Sequence, residues 1–139
     1  MSWSNAYLAI PYADMGRSRA GCDCWGLARL IYDTELGITL PDYADGYVSA
    51  EEQAEVAALI SQESSAAIWL PVEQPMPFDI LLFRHGRHSS HVGIFVADEL
   101  MLHMATDDQT KHESITSPRW APRLVGTFRH AQHRLKGAL

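Results

Sequence analysis

The chain has 139 residues, of which 47% are hydrophobic and 20% charged, as expected of a single globular domain. Its net charge is −6 and its basic residues form no cluster, which argues against a nucleic-acid partner. No apolar stretch approaches the roughly 20 residues of a membrane-spanning helix. The N-terminus shows no basic leader, long apolar stretch or small-residue cleavage site, so we expect no signal peptide and synthesis in the cytoplasm.

Helices are predicted in the first half of the chain. An apolar stripe at helical spacing begins at Cys24 and predicts a helix to about Leu36, where Gly37 can stop it. Asp23 occupies the N-cap position, where its carboxylate can accept hydrogen bonds from first-turn N–H groups. Two further helices are predicted near residues 3–9 and at 50–62.

Strands are predicted in the second half, where short apolar or alternating runs are bounded by turn residues. A loop containing Pro71, Pro75 and Pro77 is expected before them. The predicted strands are 78–84, 91–96, 100–105 and 124–129. Helices followed by strands indicate an α+β domain with an antiparallel sheet.

Two cysteines stand one residue apart at the start of the predicted helix. A Cys22–Cys24 disulfide would close a strained ring, because residues at this spacing rarely fit disulfide geometry. A helix N-terminus lowers the pKa of a thiol, so Cys24 is the candidate nucleophile and Cys22 a bystander. Two alternatives stay open: a structural role for Cys24, and a zinc site that adds His88 and His91. Zinc-binding cysteines are usually spaced more widely, which weighs against the second.

Seven histidines compete to supply the base that a nucleophilic cysteine needs. His91 differs from the others because it opens the predicted strand 91–96, where a polar residue lies at the rim of the sheet and can face a helix end. Four others are expected at the surface: His85 and His88 in a polar turn, and His130 and His133 beside a basic C-terminal tail.

His103 lies on the next predicted strand, 100–105. If residues 97–99 form a three-residue hairpin loop, His103 lies opposite Gly93, and His91 is its diagonal neighbour on the same face. Gly93 then leaves space for a hydrogen bond between the two imidazoles. A two-residue loop would place the histidines on opposite faces, and a core role for His103 is the alternative.

Three motifs in this order resemble the NlpC-type cell-wall cysteine peptidases: DCWGL at residues 23–27, HVGI at 91–94, and a histidine on the returning strand. The similarity covers about residues 5–130 and is greatest to the branch found in bacteriophage tail assembly proteins and prophages. It implies a papain-like α+β core with the nucleophile helix packed on an antiparallel sheet of about four to six strands. Residues 1–139 would form one peptidase domain.

The resemblance also implies residue roles. Cys24 corresponds to the nucleophile, His91 to the general base and His103 to the polar residue that orients the base. The residues that line or support the substrate site correspond to Tyr12, Asp23 and Trp25. The family's usual Pro-Gly-Asp is replaced by Pro-Phe-Asp at residues 77–79, which leaves the conformation of that turn open.

The implied activity is hydrolysis of peptidoglycan stem peptides, at or near the bond between D-γ-glutamyl and diaminopimelyl residues, without a cofactor or metal. The implied partners are the peptidoglycan peptide and other phage tail proteins, and the implied location is the virion tail. Two alternatives stay open. One is an assembly-only tail component on the same fold, and the other is an amidase or acyltransferase that uses the same Cys24–His91 pair.

Overall fold

The computed structural model describes residues 3–13, 16–40, 69–85, 88–104 and 108–132. Within these ranges the chain forms two short 3-10 helices, Trp3–Tyr7 and Ala121–Arg123, one α-helix, a two-stranded sheet and a six-stranded sheet. The helix predicted at residues 50–62 lies outside the described residues. In the described part of the chain, no helix is long and apolar enough to cross a membrane.

The helix that begins at the candidate nucleophile, α1, spans Cys24–Ile31 and continues as one π-helical turn, Tyr32–Leu36. Oδ1 of Asp23 accepts a 2.7 Å hydrogen bond from the backbone N–H of Gly26, so Asp23 is the N-cap. Gly37 ends the helical segment with a left-handed φ of 66°, a conformation that favours glycine. The predicted start, cap and end of this helix are therefore confirmed.

The large sheet is antiparallel, with the strand order β3–β8–β4–β5–β6–β7. Its strands are β3 (Trp69–Pro71), β4 (Ile80–His85), β5 (His88–Ala97), β6 (Leu100–Met104), β7 (Thr110–Ser114) and β8 (Leu124–His130). A small hairpin of β1 (Arg17–Ser18) and β2 (Gly21–Cys22) precedes α1. The predicted α+β class is thus confirmed, with a sheet at the upper end of the expected size.

Both edge strands of the large sheet escaped prediction. The loop expected around Pro71 begins as β3, which pairs with β8, and Pro71 is tolerated because it ends a short edge strand. The sequence of β7, TKHES, lacks the apolar alternation by which strands are recognised, and only Thr110 in it is fully buried. An edge strand can form without that alternation because its pairing partner and neighbouring loops supply the contacts.

Strand β5 begins three residues earlier than expected, at His88. Its pairing with β4 shifts by one residue between His91, which lies opposite Phe83, and Ser89, which lies opposite Arg84. The expectation that His91 opens the strand was therefore wrong: it lies inside β5, just after a β-bulge.

The turn between β5 and β6 also differs from the prediction. Ala97 pairs with Leu100, so the loop contains only Asp98 and Glu99 rather than three residues. Both have positive φ, 50° and 67°, which is the backbone of a tight two-residue hairpin turn.

A second β-bulge compensates for the shorter loop. The register shifts between Phe95 and Ala97, and the extra residue there, Val96, restores the parity that a two-residue turn would have reversed. His103 consequently lies opposite Gly93, as predicted, although the predicted reason was wrong.

Alternate residues of the sheet contribute to two hydrophobic clusters. The larger cluster joins α1 to the sheet and includes Trp25, Leu27, Ile31, Ile80, Leu82, Val92, Ile94 and Leu102. The smaller cluster contains Leu81, Phe83, Phe95, Met101 and Trp120. Helix α1 lies against β5 and β6, the strands that carry His91 and His103.

The turn before β4 keeps a glycine-like backbone without a glycine. Phe78 has a φ of 77°, and its ring stacks on Trp3 with centroids 4.4 Å apart. The hydroxyl of Tyr32 donates to the Phe78 carbonyl, and the fully buried Asp79 accepts two hydrogen bonds from Arg129, of 2.9 and 2.8 Å. These contacts hold Phe78 in a conformation that costs a non-glycine residue about 1–3 kcal/mol.

Candidate active site

The two cysteines occupy different environments. Cys24 is the first residue of α1 and is 5% exposed, whereas Cys22 pairs with Arg17 in the small hairpin and is fully buried. Neither is bonded in a disulfide. Of the two, Cys24 lies at a helix start and keeps a small exposed surface, the placement that favours a reactive thiol.

The two predicted histidines are joined directly. Nε2 of His91 lies 2.9 Å from Nδ1 of His103, with the rings nearly perpendicular at 89°. His91 is 6% exposed and His103 is fully buried. The predicted imidazole–imidazole hydrogen bond is therefore confirmed, with the candidate base reaching solvent and its partner enclosed.

Two residues that the sequence analysis missed complete this arrangement. Oε1 of Glu113 lies 2.7 Å from Nε2 of His103, and its Oε2 accepts a 3.1 Å hydrogen bond from the Trp120 indole N–H. The Trp120 ring stacks on His91, with centroids 5.1 Å apart and an interplanar angle of 21°. Nothing in the motifs identified Glu113, because it lies on the polar edge strand that was not predicted.

Burial and hydrogen bonding set the charges of this cluster. Burial lowers the pKa of His103 below its ordinary value, and the hydrogen bond to Glu113 offsets only part of that effect. Burial raises the pKa of Glu113, but the hydrogen bonds from His103 and Trp120 lower it by more, so its pKa lies below the ordinary value. The buried imidazole is therefore neutral and the carboxylate ionised near neutral pH.

The three residues expected at the substrate site lie in different surroundings. Tyr12 is half-buried and forms an isolated bridge to Cys22, so part of its surface stays exposed. Asp23 is fully buried and caps the helix. Trp25 is also fully buried and packs edge-on against Trp69, 6.3 Å away. Because a fully buried side chain offers no surface, only Tyr12 is carried forward as a substrate contact.

The remaining histidines supply one correction. His130, expected in solvent, is 7% exposed, because it ends β8 opposite Trp69 and packs edge-on against that ring at 5.0 Å. His133 and the side chains of His85 and His88 lie outside the described part of the structure. Among the residues that the structure does describe, no three histidine, cysteine or acidic side chains are placed to hold a metal ion.

Comparison with known protein families matches residues 9–129 to the NlpC/P60 family. The chain belongs to the NlpC/P60 family. This match covers most of the chain and confirms the cysteine-peptidase family that the DCWGL and HVGI motifs indicated.

The curated relatives of this NlpC/P60 chain include bacterial peptidases. It is 26% identical over 114 residues to the Murein DD-endopeptidase MepS/Murein LD-carboxypeptidase of Escherichia coli K12, which is 82% of this chain and 52% of the relative. It is 27% identical over 117 residues to a probable endopeptidase of Haemophilus influenzae, which is 83% of this chain and 63% of the relative. The chain spans about half to two thirds of the length of these relatives.

Solved NlpC/P60 structures share the fold. The NlpC/p60 domain of the peptidoglycan hydrolase SagA superposes with a TM-score of 0.62 at 19% identity, covering 91% of this chain and 92% of that domain. An NlpC/P60 family protein from Bacillus cereus gives a TM-score of 0.66 at 22% identity, covering 92% of this chain and 38% of that protein. The predicted papain-like architecture is therefore confirmed.

Proposed function

We propose that this NlpC/P60 chain is a cysteine peptidase that hydrolyses an amide bond in the peptide part of peptidoglycan. The observation that carries the proposal is the hydrogen-bonded pair of His91 and His103, on the two strands against which the helix of Cys24 packs. Family membership supports it, as do relatives named as murein endopeptidases.

In the proposed reaction His91 takes the proton of the Cys24 thiol, and the thiolate attacks the carbonyl carbon of the scissile amide. Backbone N–H groups at the start of α1, including that of Cys24, hold the oxyanion. The Gly26 N–H is not among them because it donates to Asp23. The amine leaves with the proton from His91, and a water activated by His91 hydrolyses the acyl-enzyme thioester, which returns the thiol.

We propose the bond between D-γ-glutamyl and diaminopimelyl residues as the target, with Tyr12 lining the cleft. A stem tetrapeptide and a cross-linked dimer test this choice against the activities in the relatives' names. Cleavage at the γ-glutamyl bond releases the dipeptide L-Ala-D-Glu, cleavage of the cross-link releases two monomers, and carboxypeptidase activity removes one terminal residue. Mass spectrometry separates all three products.

The role of Cys24 is tested with a matched pair of variants. Cys24→Ala should release no fragments, whereas Cys22→Ala, which removes the neighbouring buried thiol, should retain activity in proportion to its folded fraction. Absence of fragments with the wild type contradicts the proposed hydrolase, and fragments from Cys24→Ala contradict the proposed nucleophile.

A second experiment tests whether His91 acts on the Cys24 thiol. The rate at which iodoacetamide alkylates Cys24 is measured against pH in the wild type and in His91→Gln. A thiol paired with His91 reacts at mildly acidic pH, and loss of the imidazole shifts the rate profile toward the ordinary thiol pKa of about 8.5. Identical profiles contradict the pair.

We also propose, from the sequence resemblance alone, that the enzyme acts in a phage or prophage tail and opens the wall during DNA entry. LVGTFRH at residues 124–130 resembles the closing strand of the tail-associated branch. Peptide mass fingerprinting of purified phage particles tests this association. Detection of the chain in them supports it, and particles that infect without the chain contradict it.

A further inference from the structure

We propose that Glu113 is a positioning residue that fixes the protonation pattern of His103 and, through it, leaves Nδ1 of His91 unprotonated. This inference rests on the proposed function, because it explains how His91 is prepared to accept the thiol proton. Four groups carry it: the two imidazoles, the Glu113 carboxylate and the Trp120 indole.

The sheet register places Glu113 beside His103. Strands β6 and β7 pair with Met101 opposite Glu113 and His103 opposite Lys111. Glu113 is therefore the diagonal neighbour of His103 on the same face, which long side chains can span. The 2.7 Å contact to His103 occupies Oε1, and the Trp120 N–H occupies Oε2.

The direction of each hydrogen bond follows from the chemistry of its partners. An ionised carboxylate only accepts, so Nε2 of His103 carries a proton. Because neutral His103 has one N–H, its Nδ1 is an acceptor, and Nε2 of His91 donates in the 2.9 Å bond. Neutral His91 then has no proton on Nδ1, which is the nitrogen that receives the thiol proton.

Glu113→Gln should reverse the direction of the hydrogen bonds that join residue 113, His103 and His91. Two N–H donors, from His103 and Trp120, compete for the single amide oxygen, so the amide NH₂ must face one of them. If it faces His103, that imidazole holds its proton on Nδ1 and donates to Nε2 of His91. The His91 proton then sits on Nδ1, and His91 can no longer act as the base.

The variants should separate positioning from folding. Glu113→Gln should lower kcat by about 10-fold or more, toward the roughly 10⁴-fold seen when a catalytic histidine is held in the wrong tautomer, with little change in KM. Trp120→Phe in the same chain removes the competing donor and keeps an aromatic ring over His91. The double variant should regain part of the lost kcat because the amide oxygen is free to accept from His103.

Asp108→Asn is the matched control, since it removes a carboxylate that contacts Lys111 and should leave kcat unchanged. A Glu113→Gln enzyme with wild-type kcat overturns the inference. So does a double variant no more active than Glu113→Gln.

Nitrogen-15 NMR of the histidines in the unmodified chain tests the same inference without catalysis or substitution. The expected result is a protonated Nε2 on both His91 and His103, and a protonated Nδ1 on either neutral ring overturns it. This readout separates the two proposals: a wild type that hydrolyses no peptidoglycan peptide contradicts the proposed function, whereas the tautomers decide the role of Glu113.

Discussion

Gly93 separates the two histidines, and adding one methyl group there is a sharp test of the site's packing. A Cβ at this position would lie 2.8 Å from Sδ of Met101 and 3.4 Å from Cβ of His103. The first distance is roughly 1 Å shorter than an optimal separation of about 3.5–4.0 Å between nonbonded carbon atoms. Met101 is fully buried, so its side chain has little room to move aside.

The expected cost of Gly93→Ala follows from two opposing effects. Overpacking a filled interior costs about 1–3 kcal/mol, whereas replacing a glycine within a regular element returns about 0.5–1 kcal/mol of backbone entropy. We therefore expect a net loss of about 0.5–2 kcal/mol in the free energy of unfolding. Because His103 lies on the other side of the added methyl group, kcat should also fall.

Urea unfolding of a double-mutant cycle measures this effect. Met101→Ala alone should cost about 2–5 kcal/mol through the cavity it leaves, but it also removes the sulfur that the methyl group added at Gly93 would meet. The double variant should therefore be more stable than the sum of the single changes by about 1 kcal/mol. Effects that add within about 0.5 kcal/mol, or a Gly93→Ala chain as stable as the wild type, refute the reasoning.

Three further predictions concern stability. Arg129→Met should lower the free energy of unfolding in urea by about 3–5 kcal/mol, because it leaves the buried Asp79 carboxylate without its charged partner. Adding Asp79→Asn removes that unpaired charge and should restore wild-type stability. Phe78→Gly should be about 1 kcal/mol more stable than Phe78→Ala, since both variants lose the stacking on Trp3 but only glycine relieves the strain of a positive φ. A more stable alanine variant would show that the backbone at this residue is not strained. Because folding lowers the pKa of His103, the unfolded chain takes up a proton at this residue at a higher pH than the folded chain does. Tm should therefore fall as the pH drops below about 6.5. In His103→Gln, the dependence of Tm on pH in this range should be weaker.

Sequence reasoning located the helix of Cys24 well because its signals are local. The capping carboxylate of Asp23, the apolar spacing and the stop at Gly37 all act within one or two turns of the chain. Element types were therefore predictable wherever neighbouring residues determine them.

The register that brings His91 and His103 together was predicted correctly, but from a three-residue loop that the structure replaces with a two-residue turn. Two departures, a turn one residue shorter and a bulge at Val96, cancel in their effect on parity. Neither is visible in the sequence, since Asp98 and Glu99 have no glycine to mark their positive φ. The agreement on His103 owes as much to this cancellation as to the alternation rule.

Contacts that depend on the two edge strands could not be predicted, because neither strand was recognised in the sequence. Glu113 reaches His103 only because β7 pairs with β6, and β7 has no apolar pattern. His130 is buried because β3 pairs with β8, although it borders the basic C-terminal tail. In both cases the contact depends on strand pairing, which propensity and spacing along the chain do not encode.

The bulge at Val96 also constrains how this hairpin can change length during evolution. Loss or gain of a single residue between Gly93 and His103 would turn His103 away from His91, whereas a change of two residues, or one residue together with loss of the bulge, would not. Insertions and deletions that leave the bulge in place should therefore be tolerated in even steps. An alignment of relatives that counts residues between the two histidines must allow a two-residue turn with a bulge and a three-residue turn without one as equivalent solutions.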